Sequence, residues 1–327
     1  MPLRILNAQD VRELLPMAEC IAAMRDAMIA LSHRSVAIPQ RIISALPDGT
    51  GYFACMPGSC SEPAVDGAKV VTLLPGNPAA GRPAIQGVVL LFDHATGAPA
   101  ALLDGAEITA LRTAAVSGLA TQLLAREDAR SHGVLGAGVQ ARVHVDAIRV
   151  ARPHAREVLV WARGAGNARA FAEAESGRTG LRIRAVADAR EAAACDIVSA
   201  CTGATEPVLR GDWLRPGAHV NLVGAHQPTH READTQAVVR STVYVDLMES
   251  AMKEAGDLLI PIGEGAFARE RIAGELGQLA AGEVPGRTSP QQVTLFKSLG
   301  VVAQDLFAGW AALRAAQARG RGVEVPF

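Results

Sequence analysis

The residues with the clearest chemical reading are Gly136-Ala137-Gly138-Val139-Gln140-Ala141, which close the apolar run SHGVLG. Their spacing is GxGxxA. Gly136 permits a tight turn, Gly138 lets a pyrophosphate approach the backbone, and Ala141 is small enough for a helix to lie on a strand. A helix opening there offers N–H groups and the positive end of its dipole to phosphates. The motif alone is weak, but here it follows a predicted strand and opens a predicted helix. A second strand then ends about 25 residues later. The pattern points to a dinucleotide and hence to an NAD(P)-dependent oxidoreductase. A different ligand on the same kind of turn is the competing explanation.

The end of the second strand bears on the choice of cofactor. An Asp or Glu there would bind the ribose hydroxyls. This chain has Trp161-Ala162-Arg163. No acid would repel a 2′-phosphate, and Arg163 is able to pair with one. NADPH is therefore favoured, with NADH left open; Arg163 also fits a solvated surface charge. Thr202, just past the run DIVSAC, completes the candidate cofactor set in this half of the chain.

An oxidoreductase of small amino or imino acids must also hold a carboxylate. Arg does so with a planar fork and Lys as a point charge. Arg41 opens the run RIISAL, Lys69 sits inside AKVVTLL, and Arg112 stands in an Ala-rich segment beside Thr113. Cations in apolar contexts are seldom fully buried unless paired. For each alone, a salt-bridged or snorkelling charge is the commoner explanation. His226 and His230 have a spacing that invites a metal reading. Pro228 between them disfavours one regular helix, and no acid or Cys partner is near in sequence, so no metal is expected.

Positioning these groups requires two kinds of structure. Residues 9–32 read as one helix, with Leu14, Ile21, Met24, Met28 and Leu31 near helical spacing. From Ile38 to Asp93, short apolar runs alternate with turn signals such as Pro47-Asp48-Gly49, as expected of strands. Residues 108–124 read as a helix crossing into a second domain. From Ala129 onward, strands and helices alternate, which predicts parallel βαβ units in a doubly wound α/β sheet. The tail after Thr294 reads as helix. The predicted division is an α+β domain over 1–113, with a terminal helix at 301–327, and a Rossmann-type domain over 114–300.

Composition narrows the classes further. The 327 residues carry a net charge of −1, so there is no basic field for nucleic acid. Five Cys residues without CxxC spacing fit a reduced cytoplasmic protein better than a disulfide framework. Gly, Pro or charge interrupts every apolar stretch before a membrane span is reached.

The segments KVVTLLPGNP, ALLDGAEITALRTAAVSGLA, GVLGAGVQA, GAHVNLVGAHQPTHREAD and VTLFKSLG together resemble the ornithine cyclodeaminase and mu-crystallin family over essentially the full length. The resemblance implies a homodimer, a first domain supplying substrate contacts and the dimer interface, and a Rossmann domain for the cofactor. It places Arg41, Lys69 and Arg112 at the family's cationic substrate-binding positions and Thr113 in its cofactor-proximal motif. Ornithine cyclodeaminases carry acids where this chain has Ala54 and His226, and a Thr where it has Ala84. Without those acids, a second ammonium group would enter the site unpaired, which is costly.

The chain thus looks more like the mu-crystallin branch, whose members reduce cyclic ketimines such as Δ1-pyrroline-2-carboxylate and Δ1-piperideine-2-carboxylate. His226 could then donate the proton to the imine nitrogen, or only shape the pocket. An NAD-dependent ornithine cyclodeaminase, an alanine dehydrogenase or reductive aminase, and a ligand carrier remain as alternatives. Lys297 and Ser298 are expected near the nicotinamide side, without a derived role.

Overall fold

Alternation of buried and exposed residues organises the first sheet of the computed structural model, which describes residues 2–326. The chain forms two compact units, one ending at Arg112 and resuming at Val301, the other spanning Thr113–Gly300.

The first unit begins with β1 (Leu3–Leu6), α1 (Ala8–Leu14) and α2 (Met17–Ser32). The single helix expected over 9–32 is therefore two. Asn7 caps α1, and its side chain and that of Asp10 form a reciprocal capping box. Pro16 has no N–H to continue that helix and instead stands at the N-cap of α2. The strands β2 (Val36–Ala37), β3 (Ile42–Ala45), β4 (Tyr52–Ser61), β5 (Ala64–Leu73), β6 (Ile85–Asp93) and β7 (Pro99–Asp104) follow. From β4 to β7 they form an antiparallel meander. Then α3 (Gly105–Leu124) starts in this unit and runs on into the other.

On β5, every second residue from Val65 to Val71 is buried. That face carries Val65, Gly67, Lys69 and Val71, so one lysine stands in an apolar row.

The second unit runs through β8 (Ser131–Leu135), α4 (Val139–Ala151), β9 (Glu157–Trp161), α5 (Ala165–Thr179), β10 (Arg182–Ala185), α6 (Ala189–Ala193), β11 (Ile197–Ala200) and β12 (His219–Leu222). It continues with α7 (Thr235–Val239), β13 (Ser241–Val245), α8 (Met248–Glu254), α9 (Gly256–Gly263), β14 (Ile272–Glu275), α10 (Leu276–Ala281) and β15 (Val293–Lys297). All pairings in its sheet are parallel, in the order β10-β9-β8-β11-β12-β15-β13-β14. The order reverses between β8 and β11, the switch point where such folds bind ligands beyond their strand ends.

The tail expected to be helical from Thr294 begins instead as the fully buried strand β15. Its apolar run VTLF is continuous because both faces are covered. The helix α11 (Val302–Arg319) and the strand β16 (Val323–Val325) return to the first unit. There α11 packs on α2 and on β4–β6.

Residues 113–124 of α3 lie among buried polar groups of the second unit. Ser117 bonds His144, and Thr121 accepts from Asn221, which meets His219. Burial holds His144 down to about 4 and His219 to about 3, so both are neutral partners. At the end of α3, Arg152 donates to the carbonyls of Gln122 and Ala125, and Arg287 to that of Leu124. Cations here satisfy the last carbonyls and complement the helix dipole.

Candidate functional site

The nucleotide-type loop starts where β8 ends. Gly136 has φ +116, and a Cβ there would lie 2.5 Å from the carbonyl oxygen of Cys201. Its N–H donates to the carbonyl of Trp161 at 2.8 Å. The turn is therefore wedged between the C-terminal ends of β9 and β11, and only glycine fits. Gly138 is the N-cap of α4 and gives it no side-chain cap. A Cβ on Gly138 would meet nothing within 4 Å. The helix N-terminus is thus presented to open space, and Val139 beside it is 60% exposed. Ala137 and Gln140 are partly buried, and the Gln140 Oε1 atom is buried without a hydrogen-bond partner. These features fit a dinucleotide pyrophosphate.

Arg163 is exposed in the bend after β9. Gly164, the N-cap of α5, leaves that helix start also without a side-chain cap. Thr113 is buried in α3, where its carbonyl accepts from the Ser117 hydroxyl. Thr202, just beyond β11, gives its N–H and hydroxyl to Glu232 at 2.7 and 2.8 Å. His226 is exposed in the loop after β12, with Nδ1 3.1 Å from the Gly224 carbonyl. His230 bonds Thr229 instead, so the two histidines are engaged separately. Among the described residues, no three His, Cys, Asp or Glu side chains gather to hold a metal.

In the first unit, Lys69 and Arg112 come together on one carboxylate, that of Asp305 in α11. Lys69 Nζ lies 2.9 Å from Asp305 Oδ2, and Arg112 Nε 3.1 Å from Oδ1. Arg112 also donates to Gln304 Oε1 at 2.8 Å. All four side chains are buried. A Cβ on Gly67 would lie 2.8 Å from Leu306, so this glycine seats α11 closely against β5, two residues from Lys69.

Burial brings the Lys69 pKa down to about 8; Asp305 opposes the shift, and the charges of Arg112 and Arg41 add to it. Arg41, half-buried just before β3, therefore acts on the same cluster. Burial also raises the thiols of Cys20 and Cys195 to about 12, and that of Cys201 well above its ordinary value. None of these three is an activated nucleophile.

Sequence reasoning missed Asp305 and Gln304, and also the buried acids Glu232 and Asp257. The available signal was an ionisable residue inside an apolar helix, as in VVAQDLFAGW and GDLLIPIG. Removing one partner of a buried ion cluster strands the others. Asp305→Ala should therefore lose about 3–5 kcal/mol of stability in urea unfolding. The triple change that also makes Lys69→Met and Arg112→Met should recover much of it.

The model of the ornithine cyclodeaminase/mu-crystallin family matches residues 3–318 of this chain. A Delta(1)-pyrroline-2-carboxylate reductase of Bacillus cereus is 34% identical over 325 residues, 99% of each chain. The ketimine reductase mu-crystallin of Mus musculus is 36% identical over 309 residues, 93% of this chain and 94% of its own. The structure of Thermococcus litoralis Delta(1)-pyrroline-2-carboxylate reductase in complex with NADH and L-proline matches with a TM-score of 0.95 at 37% identity, over 99% of this chain and 100% of that one. With its glycine turn, doubly wound sheet and buried cation pair, the chain belongs to the ornithine cyclodeaminase/mu-crystallin family.

Proposed function

We propose that this chain is an NAD(P)H-dependent reductase of cyclic ketimines, taking Δ1-pyrroline-2-carboxylate or Δ1-piperideine-2-carboxylate to L-proline or L-pipecolate. The observation that carries the reading is the buried pair Lys69 and Arg112 sharing the single carboxylate of Asp305. Two cations face one anion, and a substrate carboxylate balances the excess. Held by a fork and a point charge, the planar imine is fixed in one orientation, which supplies much of the rate.

Ala54 and His226 offer no carboxylate to a second ammonium group. Gly136, Gly138 and the start of α4 hold the pyrophosphate, and Thr113 and Thr202 belong to the same cofactor set. When bound, the nicotinamide supplies a hydride to the imine carbon. His226 gives a proton to the imine nitrogen, so the C=N bond becomes CH–NH.

NADPH oxidation followed at 340 nm with Δ1-pyrroline-2-carboxylate should yield proline, with no ammonia from ornithine. Ammonia release without imine reduction would overturn the reading. The same assay carries a pH signature. Lys69 holds its proton below about 8 and loses it above, so KM for the anionic substrate should rise above about pH 8, while Lys69→Arg should abolish that rise. The linked stability effect has the opposite sense: burying neutral Lys69 is easier, so folding gains from this group as pH climbs from about 8 toward 10.5.

NADPH is the preferred cofactor on this reading, because Arg163 and the uncapped start of α5 adjoin a position without an acid. Arg163→Ala should weaken NADPH about tenfold while leaving NADH nearly unchanged. Equal effects on both cofactors would refute the assignment.

The working form is a homodimer. Strand β3 is exposed along its whole length, and Ile42, Ile43, Tyr52 and Phe53 on β3 and β4 are 63, 55, 38 and 43% exposed. An apolar edge hairpin of this kind calls for a cover. Light scattering should give twice the chain mass, and Ile43→Glu with Phe53→Glu should give a monomer. No helix among the described residues is long and apolar enough to cross a membrane. The five free cysteines suit a reducing compartment such as the cytoplasm.

A further inference from the structure

Glu232, Asp257 and Lys297 are completely buried, and neither cofactor nor substrate binding uses them. Their bonds converge on the loops that carry Thr202 and His226. Glu232 accepts from Thr202 N at 2.7 Å, Thr202 Oγ1 at 2.8 Å, Val223 N at 3.2 Å and Gly224 N at 2.6 Å. Four donors occupy both of its oxygens, an arrangement that favours the anion and opposes the burial that raises its pKa. Asp257 accepts from Glu232 N and Ala233 N at 2.7 and 3.0 Å and pairs with Lys297 at 2.9 Å. Lys297 in turn donates to the Ala225 carbonyl at 2.5 Å.

The dipeptide before His226 is thus gripped at both ends: its first N–H by Glu232 and its last carbonyl by Lys297. Between those points stands the Gly224 carbonyl, which meets His226 Nδ1. A Cβ on Gly224 would fall 1.9 Å from the Thr202 carbonyl oxygen and 2.7 Å from Glu232 Oε1. The two loops touch so closely that displacing the carboxylate must displace the loop.

We propose that Glu232, Asp257 and Lys297 are positioning residues that hold the His226 imidazole with Nδ1–H on the Gly224 carbonyl, leaving Nε2 to deliver the proton. A carbonyl oxygen accepts and cannot donate, so it keeps Nδ1 protonated. The proton given to the imine nitrogen therefore leaves Nε2, and the ring ends neutral in one tautomer. The inference rests on the acid role of His226 in the proposed reduction. It adds that three buried charges set the geometry of that step.

The test uses the full-length enzyme. Nitrogen-15 NMR of the wild-type protein should show neutral His226 in the Nδ1–H form; the opposite tautomer would overturn the proposal without any variant. Lys297→Met alone would strand Asp257 and is at risk of misfolding. The pair Lys297→Met with Asp257→Asn removes both charges and keeps an oxygen for the two N–H groups. It should lower kcat about tenfold to hundredfold, leave KM and the NADPH Kd near wild type, and mix the His226 tautomers. A folded double variant with wild-type kcat and tautomer would refute the positioning role. His226→Ala separates the two layers. If it turns over normally across the pH range, the acid role fails and this inference with it. If it is slow while the double variant is not, only this inference fails.

Discussion

A single buried carboxylate, Asp305, makes the first unit's chemistry physically admissible. Lysine and arginine side chains in an apolar row cannot stay charged without a counterion, because desolvation costs several kcal/mol per ion even after relaxation. Asp305 meets both Lys69 and Arg112. One carboxylate does not balance both cations, and the charge of Arg41 further lowers the Lys69 pKa. The cluster is therefore paired well enough to stay buried and still carries surplus positive charge. The fold provides for it with a helix seated on the sheet by Gly67 and contributed by the last part of the chain.

The second unit solves the same problem with the opposite sign. There Asp257 pairs with one ammonium, Lys297, whose charge also acts on the carboxylate of Glu232. The surplus negative charge is met by backbone N–H groups from Thr202, Val223, Gly224, Glu232 and Ala233. Backbone donors are fixed in number and cannot leave, so this cluster is closed and serves as scaffold. Beside Asp305 the excess has the opposite sign, and Gln304 Oε1 accepts from Arg112 there. The two buried ion clusters thus differ in the sign of their surplus charge, and on the proposed reading it is the positive one that takes a ligand.

Much of this was legible from residue order. The βαβ rhythm and the glycine turn announced the second sheet, because period and punctuation are local properties. Lys69 and Arg112 were legible as cations in apolar context, but their common partner was not. Asp305 lies 193 positions from Arg112, and its apolar helix context marks it as buried without saying which cations it meets. The division at Pro16 was readable and passed over, since the apolar spacing of residues 9–32 looked continuous across it. The strand at the start of the tail was hidden for another reason. A run buried on both faces has no alternation, so VTLF could not be told from the helix after it.

Charge also explains why the substrate reading and the family's sequence departures belong together. A site with excess positive charge accepts a carboxylate readily and a second ammonium only if an acid meets it. In this chain the two candidate positions for such an acid hold Ala54 and His226. Alanine supplies nothing, and histidine repels an ammonium whenever it carries the proton that an acid catalyst must carry. The substitution that removes an anchor for a diamine thus installs a donor suited to an imine, which needs one proton on nitrogen as the hydride arrives on carbon. On the proposed reading, the two changed positions, with His226 held in place by buried charges, suit the same scaffold to an imine rather than to a diamine.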